Sequence, residues 1–577
     1  MFKKNESYKQ QSFFNISYSF SNSQRSRFEK SVEYSFFMNV FCKINEKDFE
    51  VLYSNKKSRP NVPVNQLVGA LILKHLKNWT YEELFKNLDF NILTRHALGI
   101  NQIEGSVFSE ASIYNFQNRV IEHYLATGTD LLTLVFDNLT AEQIKSFGVK
   151  TNIQRGDSFL IGSNIFDYTR LQLLIEVLLR LYKNLDEADK NKYNSLLSDY
   201  SKQTAGQYIF NVSKEDLPKE INQLASIYHT LYSALESEYR DINIFSIFRR
   251  VYQEHFVVID NQIEVLSTDK LHSEILLSPD DTTATYRYKN GGGSKGYSGH
   301  LSETAHPENK LNLITDITVV KNNTDDAAIL QERLPKMIEK TKDIEEYYVD
   351  GQYGNPAVDK IAHENSITII QKAIRGRRSV TELRTEKEED GIIYGKCIMG
   401  QRIKAIIGKT KKGNTKGEII FDNEICKNCP HKDICRTKDK RGPKHEHKRK
   451  VVYYEAKLLA HQRMQNIEKI PKERRNIRAN VEATVKELQR GMKNGKSRVR
   501  GHIQNHFYMT LTSIAVNLTR IHKYLLSPER NFPSFSGTLH HLILIFFVIE
   551  VYLMKKIILS PLKNKKCDVF VKNRPPF

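Results

Sequence analysis

Asp157, Asp350 and Glu482 are the residues from which a reaction centre can be assembled. Asp157 sits inside KTNIQRGDSFLIGSN, a short β-compatible stretch between about 149 and 165. Asp350 follows the apolar Tyr-Tyr-Val of EEYYVDGQYGN, where a strand runs into a Gly-containing turn. Glu482 lies on a strong helical pattern four residues after Arg478, a spacing that puts both side chains on one helical face. Converging carboxylates supply the oxygen ligands that Mg or Mn requires. Two such ions ~4 Å apart can stabilise both the attacking and the leaving oxygen of a phosphodiester. Each acid also has a commoner explanation when taken singly. Asp157 could be a turn residue, Asp350 the Asp of an Asp-Gly turn, and Glu482 a rung of a solvated ladder with Arg478 and Lys486.

Positioning three distant acids takes a strand end, a neighbouring strand end and a helix, and the chain reads as a mixed α/β sequence that offers them. Residues 1–145 form a helical region, with periodic apolar spacing in VNQLVGALILKHL, WTYEELFKNL and SEASIYNFQNRVIEHYL. Closely spaced short helices suit a helix-turn-helix DNA reader, and they equally suit a plain helical bundle or dimerisation unit. Residues 146–525 form the second unit. Its strand signals are the Asp157 segment, HFVVID, YSGHLSET and LNLITDITVV, followed by a helix opening near Asp326, and it finishes in helix. Two insertions interrupt it. One is helical, at about 166–255, and includes the amphipathic RLQLLIEVLLRLYKNL; the other, at about 376–465, is basic and cysteine-rich. In the tail, 526–577, LILIFFVIEVYLM is interrupted by Glu550 and falls short of the roughly 20 apolar residues of a spanning helix.

With 87 Lys and Arg against 67 Asp and Glu in 577 residues, the net charge of +20 favours a polyanionic partner over an acidic small molecule. The N-terminus, MFKKNESYKQ, lacks an apolar signal core, so a cytoplasmic location without membrane association is expected. Six cysteines are too few for a disulfide scaffold. Four of them, Cys397, Cys426, Cys429 and Cys435, cluster and would offer soft ligands to a structural zinc, with His431 as a substitute; reduced cysteines packed near one another are the alternative.

Taken in order, RGDSFLIGSN, SPDDTTATYRYK with GYSGHLSET, YVDGQYG, and RANVEATVKELQRG with KSRVRGH resemble the successive blocks of insertion-sequence DDE transposases. The resemblance covers about Pro60 to Leu526. It implies a ribonuclease-H-like catalytic core, metal-dependent DNA cleavage and strand transfer, double-stranded DNA at element ends and target, and a homodimer or higher oligomer on that DNA. It places the first acid at Asp157 between Arg155 and Ser158, the second in the Asp350-x-x-Tyr353 turn, and the third at Glu482 after Arg478. The related pattern carries a Tyr and a Lys where this chain has Arg475 and Gln489, with Arg490 alongside. Arg478, Arg490, Arg498 and Arg500 are the implied DNA contacts. Asp281, in the SPDD block, is the main rival for the first acid, with Asp316, Asp325 and Asp326 behind it; Asp157 is preferred because the first strand of such a sheet should precede the strands at YSGHLSET and LNLITDITVV. The alternatives are a DNA-binding protein of the same fold that no longer cuts, and a nuclease that does not rejoin strands.

Overall fold

The computed structural model describes residues 1–9, 20–54, 56, 59–100, 107–260, 262–289, 291–371, 384–387, 393–411, 413, 415–433, 435, 438–440, 448–454, 463, 466–467, 470–474 and 476–527. Arg475 and the apolar LILIFFVIEVYLM segment lie outside the described residues. Residues up to His522 form one compact unit.

The N-terminal part is helical: α1 (Asn22–Glu29), α2 (Val32–Asn39), α3 (Val64–Lys77), α4 (Tyr81–Phe90), α5 (Ile92–Ala97), α6 (Glu110–Thr127) and α7 (Leu131–Phe147). The local chemistry explains the boundaries. Thr80 and Glu83 close a capping box at the start of α4, while Asn78 and Gly148 end α3 and α7 in the left-handed conformation. Every residue of α3 from Val64 to Leu73 is buried. An amphipathic surface helix would expose one face, so α3 is a core helix.

The chain then enters the central sheet at β1 (Ile153–Gly162) and leaves it for five helices, α8 (Arg170–Lys183), α9 (Glu187–Ser201), α10 (Ala205–Phe210), α11 (Leu217–Tyr239) and α12 (Asn243–His255). These pack around their own core, which includes Leu174, Tyr228, Leu231 and Phe248. HFVVID, read as a strand, forms one as β2 (Phe256–Ile259), but it pairs with β3 (Gln262–Val265) in a separate hairpin. The chain returns through β4 (Thr285–Lys289), β5 (Gly292–Thr304) and β6 (Ile314–Lys321), then α13 (Asp326–Lys340), β7 (Glu346–Val349), α14 (Pro356–Glu364) and β8 (Thr368–Gln371).

In this mixed sheet β1 is central. It pairs antiparallel with β5 and parallel with β7; β6 and β4 pair antiparallel with β5, and β8 runs parallel to β7. Phe159, Ile161, Tyr297, Leu301 and Ile317 from one sheet face share a core with α3, α7 and two late helices, α16 (Val481–Gln489) and α17 (His502–Leu526). Tyr347 and Val349 pack with α13 and α14 in another cluster. Before those late helices, the cysteine-rich section contains β9 (Arg384–Lys387), β10 (Ile393–Lys396) and β11 (Arg402–Lys404) in one small sheet. A second small sheet holds β12 (Ile406–Lys409), β13 (Thr415–Phe421), β14 (Lys438–Lys440) and β15 (Lys448–Tyr454), with the short α15 (Asn423–Lys427) between β13 and β14. Within the described residues, no helix is long and apolar enough to cross a membrane.

Candidate active site

Asp157 stands mid-way along β1, Asp350 directly follows β7, and Glu482 is the second residue of α16. The parallel pairing of β1 with β7 brings the first two strands side by side. Backbone and side-chain tethers bring in the helix. Gly162 donates to the Gly495 carbonyl at 2.9 Å and accepts from the Ser497 N–H at 2.8 Å, while Gln489 Nε2 donates to the Leu160 carbonyl at 3.0 Å. Asn494 and Gly495 take positive φ (53° and 72°), which lets the chain after α16 turn tightly back onto the end of β1.

All three acids converge on one guanidinium. Arg478 Nη2 donates to Asp157 Oδ2 at 2.8 Å and lies 4.0 Å from Asp350 Oδ2, and its Nη1 lies 3.7 Å from Glu482 Oε1. Arg478 itself lies in a 3₁₀ turn (Arg478–Asn480) that leads into α16, rather than on the helix proper. Accessibility grades across the group: 15% for the Asp157 side chain, 41% for Asp350 and 66% for Glu482, so it opens to solvent on the helix side. Burial pushes the Asp157 carboxyl pKa up; the charge and hydrogen bond of Arg478 and the Ser158 N–H pull it back, the Asp350 charge adds to the rise, and the net shift is upward.

Two side chains that sequence reasoning carried only as motif letters have structural work. The Tyr353 hydroxyl, buried at 1% exposure, meets Ser158 Oγ at 2.5 Å and so ties the residue after the first acid to the turn of the second. Gly156 is small for a similar reason. A Cβ there would lie 2.0 Å from the Tyr347 hydroxyl, which is hydrogen-bonded to Ser302 Oγ at 2.6 Å.

Behind the acids lies a buried network absent from the sequence reading. Glu303, on β5 opposite Arg155, accepts from Arg155 Nε at 2.7 Å, Thr484 Oγ1 at 2.8 Å and Arg520 Nη1 at 2.7 Å. Arg155 Nη1 also holds the Ile477 carbonyl at 2.8 Å, next to Arg478, and Arg520 Nη2 reaches Glu487 at 2.7 Å. Thr484 and Glu487 are both on α16, so the network fixes the helix that carries Glu482. Its available signal was a charged residue at Glu303 inside the otherwise uncharged YSGHLSET strand.

The rival acids are engaged elsewhere. Asp281 accepts from Ser163 Oγ at 2.5 Å, the Tyr297 hydroxyl at 2.6 Å and the Thr283 N–H at 3.2 Å. Burial alone would raise its pKa, but these hydrogen bonds outweigh it and the net shift is downward. Asp316 is fully buried in a fork with Arg333, whose Nε donates at 2.9 Å. Asp325 is the N-cap of α13, with no side-chain capping bond, and Asp326 pairs with Arg287 at 3.6 Å.

Of the remaining arginines, Arg490 is exposed at the end of α16. Arg498 donates to the Gly491 and Asn78 carbonyls at 2.9 and 3.3 Å, and Arg500 to the Asn164 carbonyl at 2.8 Å. The four clustered cysteines are of intermediate exposure. Cys397 and Cys426 border the same small core, and the Cys426 thiol is pushed up first by burial and further by Cys397 and Cys435. Among the described residues, no three His, Cys, Asp or Glu side chains are gathered closely enough to hold an ion.

Family models match two stretches of the chain: "Transposase domain (DUF772)" over residues 19–119, and "Transposase DDE domain" over residues 396–522. Both matches are to transposase domains, and together they support an insertion-sequence DDE transposase. A search of curated proteins found no match. The DDE match indicates an enzyme of the nuclease and transposase class, and it implies a DNA substrate and the general use of divalent metal. The second match takes in Arg478, Glu482 and the four clustered cysteines, while Asp157 and Asp350 fall outside both. For those two acids, the assignment to the transposase's site rests on their contacts with Arg478.

Proposed function

We propose that the transposase binds the ends of its mobile element and carries out Mg-dependent strand cleavage and strand transfer, with Asp157, Asp350 and Glu482 as the catalytic acids. The observation that carries this reading is the convergence of three carboxylates, distant in sequence, within 4.0 Å of one guanidinium. Supporting it, the strand order β6–β5–β1–β7–β8, with two antiparallel then two parallel pairings, is the order expected of a ribonuclease-H-like core. The donor set consists of hard oxygens, which fit Mg or Mn. Bound there, such an ion supplies Lewis-acid stabilisation of phosphate charge. The chain's own part is to orient: β1 and β7 present the two aspartates, the Glu303 network fixes α16, and Tyr353 locks the two aspartate segments together. No covalent protein nucleophile is needed.

DNA phosphates would be met by Arg478, Arg490, Arg498 and Arg500, the last two by exchanging carbonyl partners for phosphate oxygens. Element ends and target are both double-stranded DNA, the working form is a homodimer or higher oligomer on that DNA, and the location is cytoplasmic. Cys397, Cys426, Cys429 and Cys435 are the proposed ligands of a structural zinc, which would have to draw them closer together than they stand in the structure; about one zinc per purified chain is expected, and a content near zero in chelator-free protein rejects the assignment. The presence of all three acids weighs against a DNA-binding protein that no longer cuts. The deciding experiment is strand cleavage with Mg. Asp157→Ala, Asp350→Ala and Glu482→Ala should each abolish it while DNA binding persists, whereas cleavage by Asp157→Ala together with its loss in Asp281→Asn would move the first acid to Asp281.

A further inference from the structure

Three carboxylates share one guanidinium, and that guanidinium cannot satisfy them all. Only its contact with Asp157 is a hydrogen bond. Asp350 and Glu482 stand off at 4.0 and 3.7 Å, and the buried Nε of Arg478 has no hydrogen-bond partner among the described residues. With the acids ionised, three negative charges face one positive charge, and the excess attracts a further cation. The backbone beneath is anchored, because Arg155 grips the Ile477 carbonyl, while the Arg478 side chain is held to the acids by the single hydrogen bond to Asp157.

We propose that Arg478 is a resident counter-cation competing with the divalent ion for the same carboxylate oxygens, so that ion entry turns the guanidinium out of the acid group and presents it to a DNA phosphate. This inference rests on the three-acid reading of the site. Both partners suit the exchange. A carboxylate oxygen held by a guanidinium N–H has fewer lone pairs left for an ion, and a displaced guanidinium matches phosphate with the same planar fork. The exchange makes ion binding and DNA engagement interdependent: phosphate that holds Arg478 outside favours the ion, and the ion favours the phosphate contact by the same factor.

The test is Mn²⁺ binding to the full-length chain without DNA, read from the electron paramagnetic resonance signal of the free ion. Arg478→Gln should bind Mn²⁺ more tightly than the unaltered chain, by roughly fivefold or more, the low end for coupled sites. Asp350→Asn should weaken binding with Arg478 present and with it replaced. Unchanged or weaker Mn²⁺ binding by Arg478→Gln, with Asp350→Asn still weakening it, overturns the competition and leaves the acid site standing. Binding indifferent to Asp350→Asn in both backgrounds overturns the acid site itself. If Arg478→Gln shows no cooperative melting transition, Arg478→Met decides: it keeps an unbranched stem but removes the charge, so tighter binding supports the competition and equal or weaker binding overturns it.

Discussion

Glu303 and Asp157 lie two rungs apart in one antiparallel pair, since Glu303 faces Arg155 and Asp157 faces Leu301, yet their surroundings differ sharply. Glu303 has no solvent exposure and accepts three hydrogen bonds of 2.7 to 2.8 Å, two of them from arginines. Asp157, Asp350 and Glu482 share a single arginine, at 2.8 to 4.0 Å, and become progressively more exposed. A saturated, buried ion cluster has no capacity left for a ligand and serves to fix geometry. The undersaturated cluster, open to solvent on the α16 side, retains lone pairs for a cation. The comparison separates carboxylates that hold the fold from those proposed to do the chemistry.

The largest effect on stability is expected where the buried cluster is broken. Glu303→Ala leaves the buried Arg155 guanidinium without its carboxylate and Arg520 with Glu487 alone, a loss of about 3–5 kcal/mol. Denaturant unfolding measures it, with Glu482→Ala, on the exposed side, expected within about 0.5 kcal/mol of the unaltered protein. Equal losses in the two variants would erase the distinction between the clusters. A smaller effect is expected at the bridge between the two aspartate segments. Tyr353→Phe removes one hydrogen bond to Ser158 and should cost about 1 kcal/mol, with cleavage reduced but retained; loss of cleavage as complete as in Asp350→Ala would make Tyr353 part of the chemistry.

Local signals made much of this legible. The strand around Asp157, the strand ending before Asp350, and the helices at α3, α4 and α6 follow from periodicity, caps and turn residues that act over a few positions. The HFVVID strand was legible as a strand but not in its pairing, because its apolar alternation says nothing about which strand lies beside it. Glu303, Thr484 and Arg520 were not legible as a unit, since their bonds join positions up to 217 residues apart. Nor did the apolar content of α3 reveal that it packs in one core with the sheet and α17. The reason for Gly156 required the Tyr347 hydroxyl, which arrives from a strand nearly two hundred residues later.

The central claim is that Asp157, Asp350 and Glu482 act as one unit, and Mg-dependent strand cleavage by single and paired alanine variants tests it most directly. Loss of any one acid should remove several kcal/mol of transition-state stabilisation, a fall of roughly 10³-fold or more. Pairing Asp157→Ala with Glu482→Ala, or either with Asp350→Ala, should then fall no further than the single variants. Independent, multiplying losses in the paired variants, or near-normal cleavage by any single variant, would contradict the account.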